Sequence, residues 1–245
     1  MPTYKSGKYG DSLIASFLLM DEMIDAPKGK QEMLQIAEDN PEKKSPLMQM
    51  LGINAAGGGG EGPGQANGGT GEPETVMLDS KGCTANVMLI KGDTMYVANA
   101  GDSRAVLAVK GVAKELSFDH KPDNEIEKER INKAGSTVVE GRVDGNLNLS
   151  RSLGDLKYKR QKHLKPEEQP ITCYPDIKEE KITEDCDFVV IACDGIWECR
   201  SSQQVVDFVY DRLKKNPSAR LSEIVEELLD DIMSPDYTAT GNLFC

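Results

Sequence analysis

Histidine and aromatic residues are scarce in this 245-residue chain: it has two histidines, one tryptophan and 5% aromatics in all. Its six cysteines, at 83, 173, 186, 193, 199 and 245, form no CxxC pair, and two histidines cannot complete an ordinary zinc set. The irregular thiol spacing suits a reducing compartment better than a disulfide scaffold, so a cytoplasmic and/or nuclear location is expected. No apolar run approaches the ~18 residues of a membrane helix, and no basic-plus-apolar leader opens the chain; neither a membrane span nor a signal peptide is expected. No Gly-Lys-Ser/Thr closes the glycine-rich stretch, so the P-loop is excluded, and EF-hand loops and internal repeats are missing too. Cationic residues are also few, with 29 Lys+Arg against 41 Asp+Glu and a net charge of −12. That balance argues against nucleic acid or anionic lipid as a partner and permits divalent cations, which take hard oxygen ligands. The oligomeric state is left open.

What is present reads as a globular α+β chain. In "GDSLIASFLLMDEMID" (10–25), Leu13, Phe17, Met20 and Ile24 fall on one helical face, with Asp11 or Ser12 as a candidate cap, and a weaker helix spans 31–39. Residues 54–74, "NAAGGGGEGPGQANGGTGEPE", hold almost no large apolar group and read as a flexible insertion. Short β-branched runs follow, "CTANVMLI", "TMYVANA" and "RAVLAV", separated by "KGD" and "GDS", which read as tight turns. A helix is signed over 122–135, with Ile126, Ile131 and Ala134 inward and Gly135 just past its end. Strands are expected near 136–149, 176–182 and 187–193, the last a buried run, and amphipathic helices over 202–215 and 219–233.

Three glycine–aspartate turns stand at strand ends: "NAGDSR" (99–104), "SRSLGD" (150–155) and "CDGIWE" (193–198). A strand ending in Asp-Gly fixes a carboxylate rigidly, and the glycine leaves room beside it for an ion or water. Such an aspartate is costly unless paired, hydrogen-bonded or metal-bound, although capping a turn is its commonest role. Arg104 and Arg151 stand nearby in sequence as groups able to handle phosphate.

These stretches, with "GCTANVMLI", "YVANAGDSRAVL", "DHKPDNEIEKERINKAG", "GRVDGNLNLSRSLGD" and "FVVIACDGIW", resemble the metal-dependent serine/threonine protein phosphatases of type 2C, in their gamma-like and plant-like branches. The resemblance implies a four-layer α+β fold, an antiparallel β-sandwich flanked by helix pairs. It implies a cleft at one end of the sandwich holding two Mg²⁺ or Mn²⁺ ions, where a metal-activated water attacks phosphoserine or phosphothreonine in phosphoprotein substrates. By position, Asp194 matches the family's metal-binding aspartate, and Asp102 matches one tied to a further, weaker metal site. Glu198 falls where the family most often has a second aspartate at that further site. Asp155 matches a signature residue with a structural part, while His120 and His163 are read as polar loop residues without an acid role.

The family's "DGHGG" and "DNM" segments do not occur here, nor its phosphate-binding arginine or "R…MED" stretch. Residues 1–245 are therefore expected to form a partial catalytic domain, with 54–74 as an insertion within it, lacking N-terminal strands and the last strand. Asp194 would be the one core metal ligand left, so little or no turnover is expected from this polypeptide alone. It would be a fragment, splice form or partial gene model of a working phosphatase; the alternative is a catalytically dead, phosphatase-like binding protein.

Overall fold

The computed structural model describes residues 1–39 and 78–233. The glycine-rich stretch 54–74 and the segment after 233 lie outside the described residues. The chain opens with helices α1 (Pro2–Lys5), α2 (Tyr9–Asp25) and α3 (Pro27–Asp39). Strands β1 (Gly82–Cys83), β2 (Ala85–Lys91), β3 (Thr94–Ala100), β4 (Arg104–Val109) and β5 (Val112–Glu115) follow, then helix α4 (Glu125–Lys133). Next come the short strands β6 (Val138–Val139), β7 (Arg142–Val143) and β8 (Leu153–Gly154), and the longer β9 (Asp176–Lys181) and β10 (Cys186–Ala192). A single-turn helix α5 (Asp194–Trp197) leads into α6 (Ser202–Lys215) and α7 (Leu221–Ile232). Among the described residues no helix is long and apolar enough to cross a membrane.

Two antiparallel three-stranded sheets, in the orders β2-β3-β9 and β10-β4-β5, stack face to face. Period-two side-chain alternation assigns each face its neighbour. Met95 and Val97 of β3 meet Ala105 and Leu107 of β4 between the sheets, with Leu116 and the half-buried Met88 and Val189. The opposite residues of β3, Ala98 and Ala100, pack under Leu13 and Phe17 of α2. Those of β4, Val106 and Ala108, pack under Val205 and Val206 of α6, Leu228 and Ile232 of α7, and Trp197. Each central strand is apolar on both faces because each sheet is covered on both. The result is the expected helix–sheet–sheet–helix stack.

Several local expectations are corrected. "KGD" is a true hairpin turn, joining β2 to β3 from Lys91↔Thr94, with Gly92 at φ +62°. "GDS" is not: β3 and β4 belong to different sheets, so residues 101–103 cross from one sheet to the other at the end of the sandwich. The run ending at Ala192 is not a buried central strand; β10 pairs with β4 alone among the described strands, and Ile191 stays 42% exposed. Helix α2 starts at Tyr9 after Lys8, and Ser12 lies inside it with its hydroxyl donating to the Lys8 carbonyl at 2.7 Å. Met20 is exposed, because only the Leu13–Phe17 part of the stripe reaches the sheet. In α4 the inward position is taken by Glu127, and Ile126 is 76% exposed. Gly135, at φ +86°, ends that helix as expected, and the Ser136 N–H reaches back to the Ile131 carbonyl at 3.1 Å.

Candidate functional site

The crossover 101–103 and the loop 117–124 are joined by a salt bridge beside the β10–α5 junction. Asp102 sits in the crossover with its carboxylate 3% exposed, and Lys121 donates from its ammonium to Asp102 Oδ2. Burial and the neighbouring Asp194 push the Asp102 carboxyl up, and Lys121 only partly offsets them. Burial alone would lower the Lys121 pKa, but Asp102 foremost, with Asp194 and Glu198, raises it above the ordinary lysine value. Asp194 and Glu198 are near enough to act on the Lys121 charge, but of the three carboxylates named from sequence only Asp102 contacts this ammonium, which sequence reading missed.

The β10–α5 junction explains how Asp194 and Glu198 are held. The Trp197 indole N–H donates to the Ala192 carbonyl at 2.8 Å, folding the short helix back onto the strand end. Ile196 and Trp197 are buried against α6 and α7, and the Arg104 guanidinium lies 5.3 Å from the Trp197 ring centroid. Asp194 is left half-buried at the first helical position and Glu198 exposed one turn later, its N–H donating to the Asp194 carbonyl at 2.8 Å. Neither side chain makes a hydrogen bond or ion pair among the described residues.

The crossover itself is locked by His120. Its Nδ1 accepts the Gly101 N–H at 3.2 Å, its own backbone N–H donates to the Gly101 carbonyl at 3.0 Å, and its Nε2 lies 3.1 Å from Asp176 Oδ2. Accepting at Nδ1 places the ring proton on Nε2, toward the carboxylate. His120 is therefore a buried structural residue, 4% exposed, and not an ordinary polar loop residue. Gly101 has φ +120°, and a Cβ there would come within 2.5 Å of the Thr84 side chain, so only glycine suits the position. Asn99, 1% exposed, supports the same crossover, donating to the carbonyls of Gly101 at 3.1 Å and Phe118 at 3.0 Å.

Asp176 extends the lock. Hydrogen bonding from His120, with the Arg151 guanidinium beside it, holds its carboxyl well below the usual range. Arg151 Nη1 donates to Asp176 at 2.7 Å, and Arg151 Nη2 donates to Glu127 at 2.6 Å. Arg130 also meets Glu127, at 2.7 Å, and the Ser150 hydroxyl donates to it at 2.7 Å. Burial would raise the Glu127 pKa, but Arg151, Arg130 and Ser150 overcome it and bring it down to about 2. Arg104 donates to both oxygens of Asp119, at 2.9 Å each, and to Ser202 at 3.0 Å. Both arginines singled out from sequence as phosphate handlers are thus committed to internal carboxylates. Asp155 accepts from the Ser152 hydroxyl at 2.7 Å, and its backbone stands at φ +49°.

A sequence signal existed for some of the residues that were missed. Asn99 is a polar residue at a buried position of an otherwise apolar strand, and Glu127 stands three residues before Arg130 on one helix face. Lys121 had no such signal, because only the crossing of the chain at 101–103 brings Asp102 to it.

Oxygen donors gathered about a positive charge are what a hard divalent cation takes. The spacing is another matter: among the described residues no group of three or more His, Cys, Asp or Glu is close enough to hold a metal ion. Of the three acids, Asp102 is paired with Lys121.

Residues 69–241 match the model of the family described as Protein phosphatase 2C. The chain is 42% identical over 239 residues to "Probable protein phosphatase 2C 21" of Arabidopsis thaliana, an alignment covering 97% of this chain and 66% of that protein. It is 53% identical over 165 residues to "Protein phosphatase 1G" of Homo sapiens, covering 65% of this chain and 30% of the other. A solved structure of a phosphatase from Toxoplasma gondii is similar with a TM-score of 0.53 and 34% identity, covering 57% of this chain and 43% of that one. The chain spans less than two thirds of the length of these relatives. Family match, plant and human relatives and the four-layer stack agree: the chain belongs to the protein phosphatase 2C family.

Proposed function

We propose that this protein serves the hydrolysis of phosphoserine and phosphothreonine in proteins, with Mg²⁺ or Mn²⁺ as the cofactor. The observation that carries this reading is the family membership, and the pairing of Ala192 with Arg104, which sets the β10 tip beside the crossover that holds Asp102, supports it. Asp194 is the carboxylate we propose to face a core ion, with Asp102 and Glu198 facing a further one. Bound divalent ions supply an activated water and charge neutralisation at the phosphoryl group. This chain's own part is to fix Asp194 through the Trp197–Ala192 bond and to hold the crossover through His120. For the 245-residue polypeptide itself we propose slow turnover, since the described residues assemble no three-ligand group. The same observation favours a second reading, a phosphatase-like protein that binds phosphoproteins without hydrolysing them. A cytoplasmic or nuclear setting is part of the proposal and rests on the irregular cysteine spacing of the sequence.

The test is phosphate release from a phosphothreonine peptide by the 245-residue chain with Mn²⁺ or Mg²⁺. Release that requires the ion and disappears in Asp194→Asn supports the enzyme. Release no greater than that of Asp194→Asn sinks it and leaves the binding reading.

A further inference from the structure

We infer that the groove beside the loop 157–165 docks a short acidic stretch of a phosphoprotein. The inference rests on the reading of this protein as one that engages phosphoproteins, and it names the kind of segment recognised.

The chain carries a net charge of −12, yet residues 157–165, "KYKRQKHLK", hold five Lys and Arg and no acidic residue. The fold divides these cations into two sets. Lys159 and Arg160 turn to groups of the same chain: Lys159 donates to Asp21 and, at 2.8 Å, to the Ser152 carbonyl, while Arg160 pairs with Asp25 and Asp79. Lys157 and Lys162 are exposed and make no ion pair among the described residues. Both line a groove of about 520 Å³ together with Tyr158, His163 and Asp144. Asp144 is the one carboxylate in that lining, and it is held in its turn by the Thr137 N–H at 2.9 Å, so it offsets at most one of the two free charges. The Lys157 ammonium lies 4.9 Å from the Tyr158 ring centroid, which keeps it along the groove wall.

The loop presents these lysines in a fixed shape. Gln169, 6% exposed, donates to the carbonyls of Gln161 at 2.8 Å and Leu164 at 3.2 Å, and Gln161 in turn donates to the Ala134 carbonyl. A cationic surface ordered before binding costs little to engage. Screening decides how large an anion it suits. At physiological salt, charges beyond about 8 Å are largely screened, so a short acidic segment in the groove feels Lys157 and Lys162 more than the acidic surface elsewhere. A nucleic acid or an anionic membrane would run on past the groove into that acidic surface and be repelled.

Binding is read by fluorescence anisotropy of a fluorescein-labelled hexaglutamate peptide on the 245-residue chain. A hexaserine peptide and an oligothymidylate of equal length serve as comparisons. Hexaglutamate should bind, more weakly as NaCl rises, and hexaserine should not. Lys157→Gln and Lys162→Gln should each weaken binding about threefold and the double variant about tenfold, the size of one and of two exposed ion pairs. Lys157→Arg/Lys162→Arg should bind like wild type. Lys91→Gln, which removes an equal charge outside the groove, should change nothing. No binding of hexaglutamate, an equal loss in Lys91→Gln, tighter binding of oligothymidylate, or a dimer of the chain that hexaglutamate disperses overturns the inference. Should the double variant melt early, amide shifts of the wild-type chain decide: on adding hexaglutamate they should centre on 157–163, and shifts centred elsewhere overturn it. The readout needs no turnover, so loss of Asp194-dependent phosphate release would fall on the proposed hydrolysis and leave the docking intact.

Discussion

The lock around His120 and the tip of β10 lie at the same end of the sandwich and treat their carboxylates in opposite ways. In the lock, Glu127 meets two arginines and a serine, and Asp176 meets His120 and Arg151. Nearly every polar group there is answered by another in the same chain. At the tip, the backbone and the Trp197 indole are satisfied, but the side chains of Asp194 and Glu198 have no hydrogen bond or ion pair among the described residues. Asp102 stands between the two, buried like the first group and answered by the half-exposed Lys121. Carboxylates that hold a fold are saturated by groups that cannot leave. Carboxylates at the tip are left without such partners among the described residues.

The largest expected effect lies in the lock. Replacing Glu127 by Gln leaves Arg130 buried without its counter-charge and Arg151 with Asp176 alone, and should cost about 3–5 kcal/mol in urea unfolding. The same residue gives the lock a pH signature. A carboxyl held at about 2 against an ordinary 4.5 contributes stability that is fully present above 4.5 and is lost as pH falls from there toward 2. The contribution is of order 3 kcal/mol, and Glu127→Gln should flatten that part of the acid-unfolding curve. A wild-type stability that stays level between those two pH values would contradict it.

Gly101→Ala comes next. A Cβ within 2.5 Å of Thr84 at φ +120° combines overpacking with a strained backbone, together about 2–4 kcal/mol. The loss should show as a lowered Tm, relieved in part by Thr84→Ala, which removes the obstructing atoms. His120→Ala should cost about 1–3 kcal/mol by stripping the acceptor from the Gly101 N–H. It should also let the Asp176 carboxyl rise toward its ordinary range, a change that carboxyl-resolved NMR titration reads directly. An unmoved Asp176 would mean that Arg151 alone holds it.

The sequence made the fold legible because each central strand and each helix announces its faces. β3 and β4 match "TMYVANA" and "RAVLAV" residue for residue, and α6 matches 202–215, with Ser201 and Gln204 forming the capping box at its start. Asp102 and Asp194 stood out as glycine–aspartate motifs at strand ends, and Glu198 was singled out by the family resemblance. What was not legible was set by tertiary pairing. That "GDS" crosses between sheets depends on which strands pair, and no local pattern encodes it. The inward turn of Glu127 contradicts its polarity and follows from two arginines, one of them distant in sequence. Arg104 and Arg151 looked available for phosphate because their carboxylate partners, Asp119, Glu127 and Asp176, come from other segments. The β10 run looked buried because its composition is apolar, while its exposure is set by the strands beside it.

The smallest expected effect on stability is at the tip, and it makes the sharpest contrast with the lock. Asp194→Asn removes a half-buried charge that has no hydrogen-bonded partner to orphan, so urea unfolding should move by no more than about 0.5 kcal/mol. The change removes a repulsion with Asp102 and an attraction to Lys121, which oppose each other, so the net effect at neutral pH should be small. Function should respond the other way, with ion-dependent phosphate release lost. A large effect on release with a negligible one on stability marks a carboxylate held open for a ligand. Were Asp194→Asn to unfold the chain as readily as Glu127→Gln, Asp194 would belong to the lock, and the distinction between saturated and open carboxylates at this end of the sandwich would fail.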